Sequence, residues 1–190
     1  MPYEPPPDLA GLSLEQIAEA VAARKLPPVE TWQPDAAADS LMRIDAGGRW
    51  FHDGGEIRRP AMVRAFASLL RRDADGSHWL VLPHEKQSIE VEDAALVAID
   101  MQERTDGAGR PALAFRLNTD DLVIAGPDHP IAARGDADVP GIYVTAQNGV
   151  EAKLNRSTYA QLVDHALAVS PPGALAVESG GMRFALVPGA

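Results

Sequence analysis

The chain has 190 residues, of which 46% are hydrophobic, 16 are proline, 16 are glycine and none is cysteine. At about 100–200 residues per domain this makes one domain or two small ones, too apolar to be a disordered chain. Without cysteine there is no disulfide, thiol chemistry, iron–sulfur cluster or thiolate zinc site. A net charge of −10 argues against nonspecific binding to nucleic acid or to an anionic membrane. No apolar run approaches the ~18–20 residues of a membrane helix, and MPYEPPPDLA lacks the basic and apolar parts of a signal peptide. The expectation is a cytoplasmic globular protein.

Residues 1–12 read as a mobile, proline-rich leader. Ser13-Leu14-Glu15-Gln16 is a capping box, and Leu14, Ile17, Ala18 and Val21 at helical spacing predict a short peripheral helix ended by Pro27-Pro28. Trp32 is the expected anchor of this arm. From Leu41 the pattern becomes a meander: LMRID, RWFH and EI separated by glycine-rich turns. Pro60 then opens a helix whose buried face is Met62, Val63, Phe66, Leu69 and Leu70. Asp73 to Gly76 form a turn into the strand HWLVLP, followed by the strands KQSIEVE, ALVAIDMQ and ALAFRLN. GIYVTA–QNG–VEAKLN predicts a hairpin, RSTYAQLVDHALAV a helix and GALAVESGGMRFALV a second hairpin.

Aligning the two longer helices at an offset of 97 places Arg59 on Arg156, Met62 on Tyr159 and Phe66 on Val163, which suggests a duplicated strand–strand–helix–strand unit. The expected layout is α+β, with an arm at 1–40, a first unit at 41–100 and a second at 101–190.

Charge is unevenly distributed. Arg43 to Arg72 holds seven arginines against Asp45, Asp53 and Glu56, a +4 island in an acidic chain. Such an island either receives an anion or pairs with carboxylates of the same chain, and internal pairing is the commoner use. Arg59 and Arg156 stand at the starts of the two helices, where unpaired N–H groups and a guanidinium together can hold an anion. Lys86 is one of three lysines beside fourteen arginines, a choice that favours a compact ammonium at that position.

The five histidines lack metal-binding spacing, and Asp73-Ala74-Asp75-Gly76 is not followed by the oxygen ligands of a calcium loop, so no metal and no cofactor are expected. Ser179-Gly180-Gly181 reads as a hairpin turn rather than a phosphate cradle. The acid pairs Glu92-Asp93 and Asp120-Asp121 read as turn or strand-end features, since adjacent strand residues point to opposite faces.

RIDAGGRWFHDGGEIRRPAMVRAFASLLRRDADGSHWLVLPHEKQSIEVEDA, FRLNTDDLVIAGPDHPI, LNRSTYAQLVDHAL and ESGGMRFALV together resemble the uncharacterised bacterial family called domain of unknown function 1285, over about residues 41–188. The sequence departs after GIYVTAQNG, with Ala146 and Gln147 where family members carry a basic residue. The resemblance implies two duplicated α+β units, the second pleckstrin-homology-like, with a nucleotide-like small ligand held between them and a role in signal transduction. By motif position the candidate ligand-binding residues are Arg58, Arg59, Glu85, Lys86, Asn118, Asp120, Asp121 and Arg156. The leading expectation is a non-enzymatic sensor of a small anionic ligand. Two alternatives remain open: a hydrolase using Asp120 or Asp121 with Lys86, and a protein-interaction module that takes no small ligand and recruits a protein partner through sheet edges.

Overall fold

The structure is a computed structural model that describes residues 7–189. The proline-rich start up to residue 6 lies outside the described residues, but the leader beyond it is docked rather than mobile. Leu9 is fully buried, and the Arg104 guanidinium donates to the carbonyls of Leu9, Ala10 and Leu12. Helix α1 (Leu14–Ala23) starts at the expected box: Ser13 Oγ accepts from the Gln16 N–H at 3.2 Å, and Gln16 Oε1 accepts from the Ser13 N–H at 2.9 Å. Of its apolar stripe Ile17 alone is fully buried, packed with Leu9 and Ala114 in a small cluster separate from the main core. After the helix Val29, rather than the half-buried Trp32, is the side chain sealed into the body.

Two six-stranded sheets follow. The first contains β1 (Ala36–Ile44), β2 (Trp50–His52), β3 (Gly55–Glu56), β4 (Leu70–Arg72), β5 (His78–Val81) and β6 (Glu85–Val91), with helix α2 (Pro60–Ala67) between β3 and β4. The second contains β7 (Leu96–Thr105), β8 (Pro111–Leu117), β9 (Leu122–Ile124), β10 (Ile131–Arg134), β11 (Gly141–Thr145) and β12 (Glu151–Leu154). Helix α3 (Arg156–Val169) and the hairpin β13 (Ala176–Ser179)–β14 (Met182–Ala185) complete the chain. Strand β7 runs across the 100/101 boundary expected from sequence.

The fold is α+β in two repeated halves. The sheets are ordered β3-β2-β1-β6-β5-β4 and β10-β11-β12-β7-β8-β9. Counted from its own first strand, each sheet is the same arrangement: two three-stranded meanders joined by a parallel central pair, β1 with β6 and β7 with β12. This corrects the expected alignment. The repeat is β1–β6 against β7–β12, not a strand–strand–helix–strand unit with Arg59 over Arg156. Helix α2 joins the third and fourth strands of its half, whereas residues 125–130 make that connection in the second half and α3 follows the sixth strand. Local amphipathic period is similar in both helices, but it does not report which connection a helix occupies.

The main core spans both halves, with Ile44, Trp50, Leu70 and Leu80 from the first and Leu113, Phe115, Val144 and Leu162 from the second. Helix α2 stops at Ala67, so the buried Leu70 opens β4 instead of extending the helix face, and Phe66 is half-buried with its ring stacked 6.4 Å from Trp50. The Ser179-Gly180-Gly181 turn is structural: Ser179 Oγ donates to the Ala125 carbonyl at 2.6 Å and accepts from the Leu113 N–H at 2.8 Å. No helix among the described residues is long and apolar enough to cross a membrane.

Candidate functional site

The turn from β8 to β9, Thr119-Asp120-Asp121, carries a buried carboxylate engaged by two arginines and a hydroxyl. Asp120 takes a positive φ of 63°, which lets the Leu117 N–H reach the Asp121 carbonyl at 2.9 Å and points the two acids apart. Asp121, 7% exposed, faces the arm. Its Oδ1 accepts from Arg24 Nε at 2.6 Å and meets Arg64 Nη2 at 3.2 Å, and its Oδ2 accepts from the Thr119 hydroxyl at 2.9 Å. Arg24 caps the C-terminal end of α1, where a cation also complements the helix dipole. Arg64, on α2, donates to the Thr119 carbonyl at 2.6 Å as well. Asp120 is paired with Arg116 at 2.5 Å.

These residues border a cleft of about 510 Å³, within the range of small-molecule sites. The arm contributes Ala20, Val21, Arg24 and Leu26; the first half contributes Arg64; the second contributes residues 120–123, His129 and Gln147. Apart from its charged turn the wall is mainly aliphatic. Two donors bordering it, Arg24 Nη2 and Gln147 Nε2, are buried without an acceptor in the described protein. Each such group costs about 1–3 kcal/mol, a cost that an acceptor in the cleft would relieve once the side chain turns toward it. His129 Nδ1 lies 3.0 Å from the Thr145 carbonyl, so in the neutral ring Nδ1 carries the proton and Nε2 is an acceptor. Among these groups Arg116 pairs with Asp120, and Arg24 and Arg64 both face the carboxylate of Asp121.

Of the eight candidate residues, the structure places Asp120 and Asp121 at this cleft and the other six elsewhere. Arg58 is exposed and pairs with Glu56 at 3.0 Å. Arg59 precedes α2, and its carbonyl takes the Met62 and Val63 N–H groups at 3.0 and 3.1 Å. Glu85 opens β6 and its carbonyl accepts from the Leu82 N–H at 2.8 Å. Lys86 lies 3.9 Å from the centre of the Trp79 ring and 3.8 Å from Asp73, not beside Asp120 or Asp121. Asn118 is a tie between halves: its Oδ1 accepts from the Val97 N–H at 3.0 Å, and its Nδ2 faces the Gly48 carbonyl at 3.5 Å. Arg156 is exposed at the start of α3, where Asn155 caps the helix by accepting from the Thr158 N–H at 2.9 Å. Asn155 thus closes the mouth of α3, whereas α2 carries no side-chain cap.

The basic island is largely used inside the chain. Arg43, Arg49, Arg58, Arg64, Arg71 and Arg72 pair with Glu92, Asp45, Glu56, Asp121, Asp73 and Glu151 respectively, and Arg59 makes no ion pair among the described residues. At the seam of the halves His78 sits beside Arg72. Desolvation first, and the Arg72 charge second, hold its pKa below the ordinary 6.5, against a smaller opposing effect of Glu151. No group of three or more His, Asp or Glu side chains among the described residues is arranged to hold a metal ion.

Sequence reading missed Arg24, His129 and Gln147, and counted Arg64 only as part of the island. Gln147 alone carried a signal, as the departure from the family's basic residue.

Comparison with known proteins agrees with this two-part architecture. Residues 27–94 match "Domain of unknown function (DUF1285), N-terminal domain", and residues 95–186 match "Protein of unknown function (DUF1285), C-terminal domain". The chain is similar to a DUF1285 family protein from Silicibacter pomeroyi DSS-3, with 34% identity and a TM-score of 0.77 over 93% of this chain and 96% of that one. It is also similar to a DUF1285 family protein from Shewanella baltica OS155, with 25% identity and a TM-score of 0.52 over 66% of this chain and 91% of that one. None of the curated proteins compared matches the chain.

Proposed function

The chain belongs to the DUF1285 family, and we propose that it is a binding protein rather than an enzyme, taking a small anionic, nucleotide-like ligand in the cleft between the arm and the two halves. The observation that carries this reading is the pair of buried, unpartnered donors, Arg24 Nη2 and Gln147 Nε2, on side chains that line the cleft. With Asp120 and Asp121 in the lining, a monophosphate or carboxylate suits the cleft better than a triphosphate, whose further charges would meet the two acids. The aliphatic wall suits the body of such a ligand, and Gln147 supplies a side-chain amide. Because α1 forms one wall, ligand occupancy and docking of the arm are coupled, which supports a sensor role in signal transduction in the cytoplasm. Comparison of the second half with pleckstrin-homology domains is part of the same proposal, supported by a six-stranded sheet followed directly by α3. The hydrolase reading is less favoured, because both aspartates are engaged by arginines and Lys86 by Asp73 and Trp79.

Calorimetric titration with adenosine monophosphate, adenosine triphosphate and inorganic phosphate tests the proposal. The monophosphate should bind most tightly. Arg24→Ala should weaken it by roughly tenfold or more, since a charge-assisted bond contributes about 1.5–3 kcal/mol. Gln147→Ala, which leaves the Asp121 network intact, should weaken it less, and Arg59→Ala and Arg156→Ala should bind as the parent does. Equal binding by the parent, Arg24→Ala and Gln147→Ala would overturn the assignment.

A further inference from the structure

The inner face of the first sheet holds a second cavity that differs in chemistry from the arginine-lined cleft. It lies between α2 and the sheet and measures about 340 Å³. Met42, Leu80 and Leu82 form its floor, and Met62, Phe66 and Leu69 its roof. No Asp, Glu, Lys or Arg lines it; its polar groups are Ser40, His52 and Gln87. Ser40 Oγ is occupied, donating to the Ser88 carbonyl at 2.6 Å and accepting from the Met42 N–H at 3.0 Å. The His52 side chain is exposed and that of Gln87 half-buried, and neither has a hydrogen-bond partner among the described residues. Met62, 39% exposed, stands at the edge.

We infer that this cavity is a binding site for an uncharged amphiphile, an apolar chain or ring bearing one carbonyl or amide group. Apolar walls on two sides would remove the body from water, while the Gln87 amide offers both donor and acceptor and the His52 ring offers one of each. The lining disfavours a charged headgroup, because a carboxylate taken into it would lose part of its hydration with no cation to replace it. Shape agrees with this: at about 30 Å³ per water-sized group the cavity takes roughly eleven such groups, the size of a short acyl amide. The site is independent of the anion cleft, with which it shares no lining residue.

Octanamide is the probe and octanoate its charged counterpart. Met42 and Met62 line the cavity, whereas Met101 and Met182 do not, so methyl-labelled methionine makes the test site-specific by NMR. Octanamide should move the Met42 and Met62 methyl signals and leave those of Met101 and Met182 in place. Octanoate should bind at least about tenfold more weakly, and Met62→Glu, at the exposed edge where folding is not at risk, should weaken octanamide by a similar factor. Gln87→Leu should bring octanamide down to the affinity of octane-like ligands while Met42 and Met62 still respond. Absence of shifts up to the solubility of octanamide, equal shifts at all four methionines, or equal affinity for the amide and the carboxylate would each overturn the inference.

Discussion

Replacing Asp121 by Asn separates the structural role of this residue from its effect on the cleft. The change keeps the shape and removes the charge that faces Arg24 at 2.6 Å and Arg64 at 3.2 Å. Breaking a fully buried ion pair costs about 3–5 kcal/mol, and losing a surface pair costs under about 1 kcal/mol. Asp121 is 8% exposed in its side chain, but Arg24 and Arg64 are 24% and 23% exposed and regain part of their hydration. Loss of stability should therefore fall between these limits, at about 2–3 kcal/mol. For a chain of this size that corresponds to a melting temperature roughly 5–10 °C lower. Anion affinity should move the other way: the cleft gains one net positive charge, worth about 1 kcal/mol for a partly solvated anion a few ångströms away, so adenosine monophosphate should bind several-fold more tightly. Differential scanning calorimetry and titration calorimetry on the same preparation measure both quantities. A variant with unchanged stability, or one that loses stability and anion affinity together, would refute the charge accounting.

Other variants address the fold around the cleft. Gly48→Ala should destabilise by about 1–3 kcal/mol in urea unfolding, since Gly48 has a φ of +81° and an added Cβ would lie 2.6 Å from Val97 Cγ2 and 3.0 Å from Asn118 Nδ2. Ile17→Ala removes the centre of the arm's own small cluster; hydrogen exchange should quicken in α1 and nucleotide affinity should drop, while protection in β7 and β8 stays near the parent value. His78 binds protons less readily in the folded than in the unfolded chain, so it contributes stability that is fully present above about pH 6.5 and is lost as pH falls toward its lower folded pKa. Stability measured between pH 7 and pH 5 should therefore decline, and His78→Gln should flatten that slope by at most about 1.4 kcal/mol per pH unit.

Features decided by neighbours in sequence were legible before the structure. The Ser13–Gln16 box placed α1, the RSTYAQLVDHALAV period bounded α3, and Ser179-Gly180-Gly181 marked the last hairpin. Features decided by distant neighbours were not. The parallel pairing of β1 with β6 and of β7 with β12 leaves no trace in the alternation of either partner, so the repeat was sought in the helices, where a matching 3.6-residue period misled the alignment. Strands β9 and β10, three and four residues long and separated by Pro127 and Pro130, are too short for a period to register. The same limit applied to the cleft. Asp121 could be singled out, but its partners come from the arm and from α2, and Gln147 arrives from the turn after β11. Conversely the density of arginine between residues 43 and 72 was visible at once, while the carboxylates that occupy six of the seven were not.

Whether the cleft is a receptor for anions rests on Gln147, whose side-chain amide gives its own pair of signals in a ¹⁵N-correlated NMR spectrum, assignable by their absence in Gln147→Ala. On titration with adenosine monophosphate these signals should move saturably with the calorimetric affinity, together with the backbone amides of Arg24 and Leu122. If the Gln147 amide stays fixed while the nucleotide shifts resonances around Arg59, Arg156 or Lys86, the ligand binds elsewhere and the arginine-lined cleft is not the site.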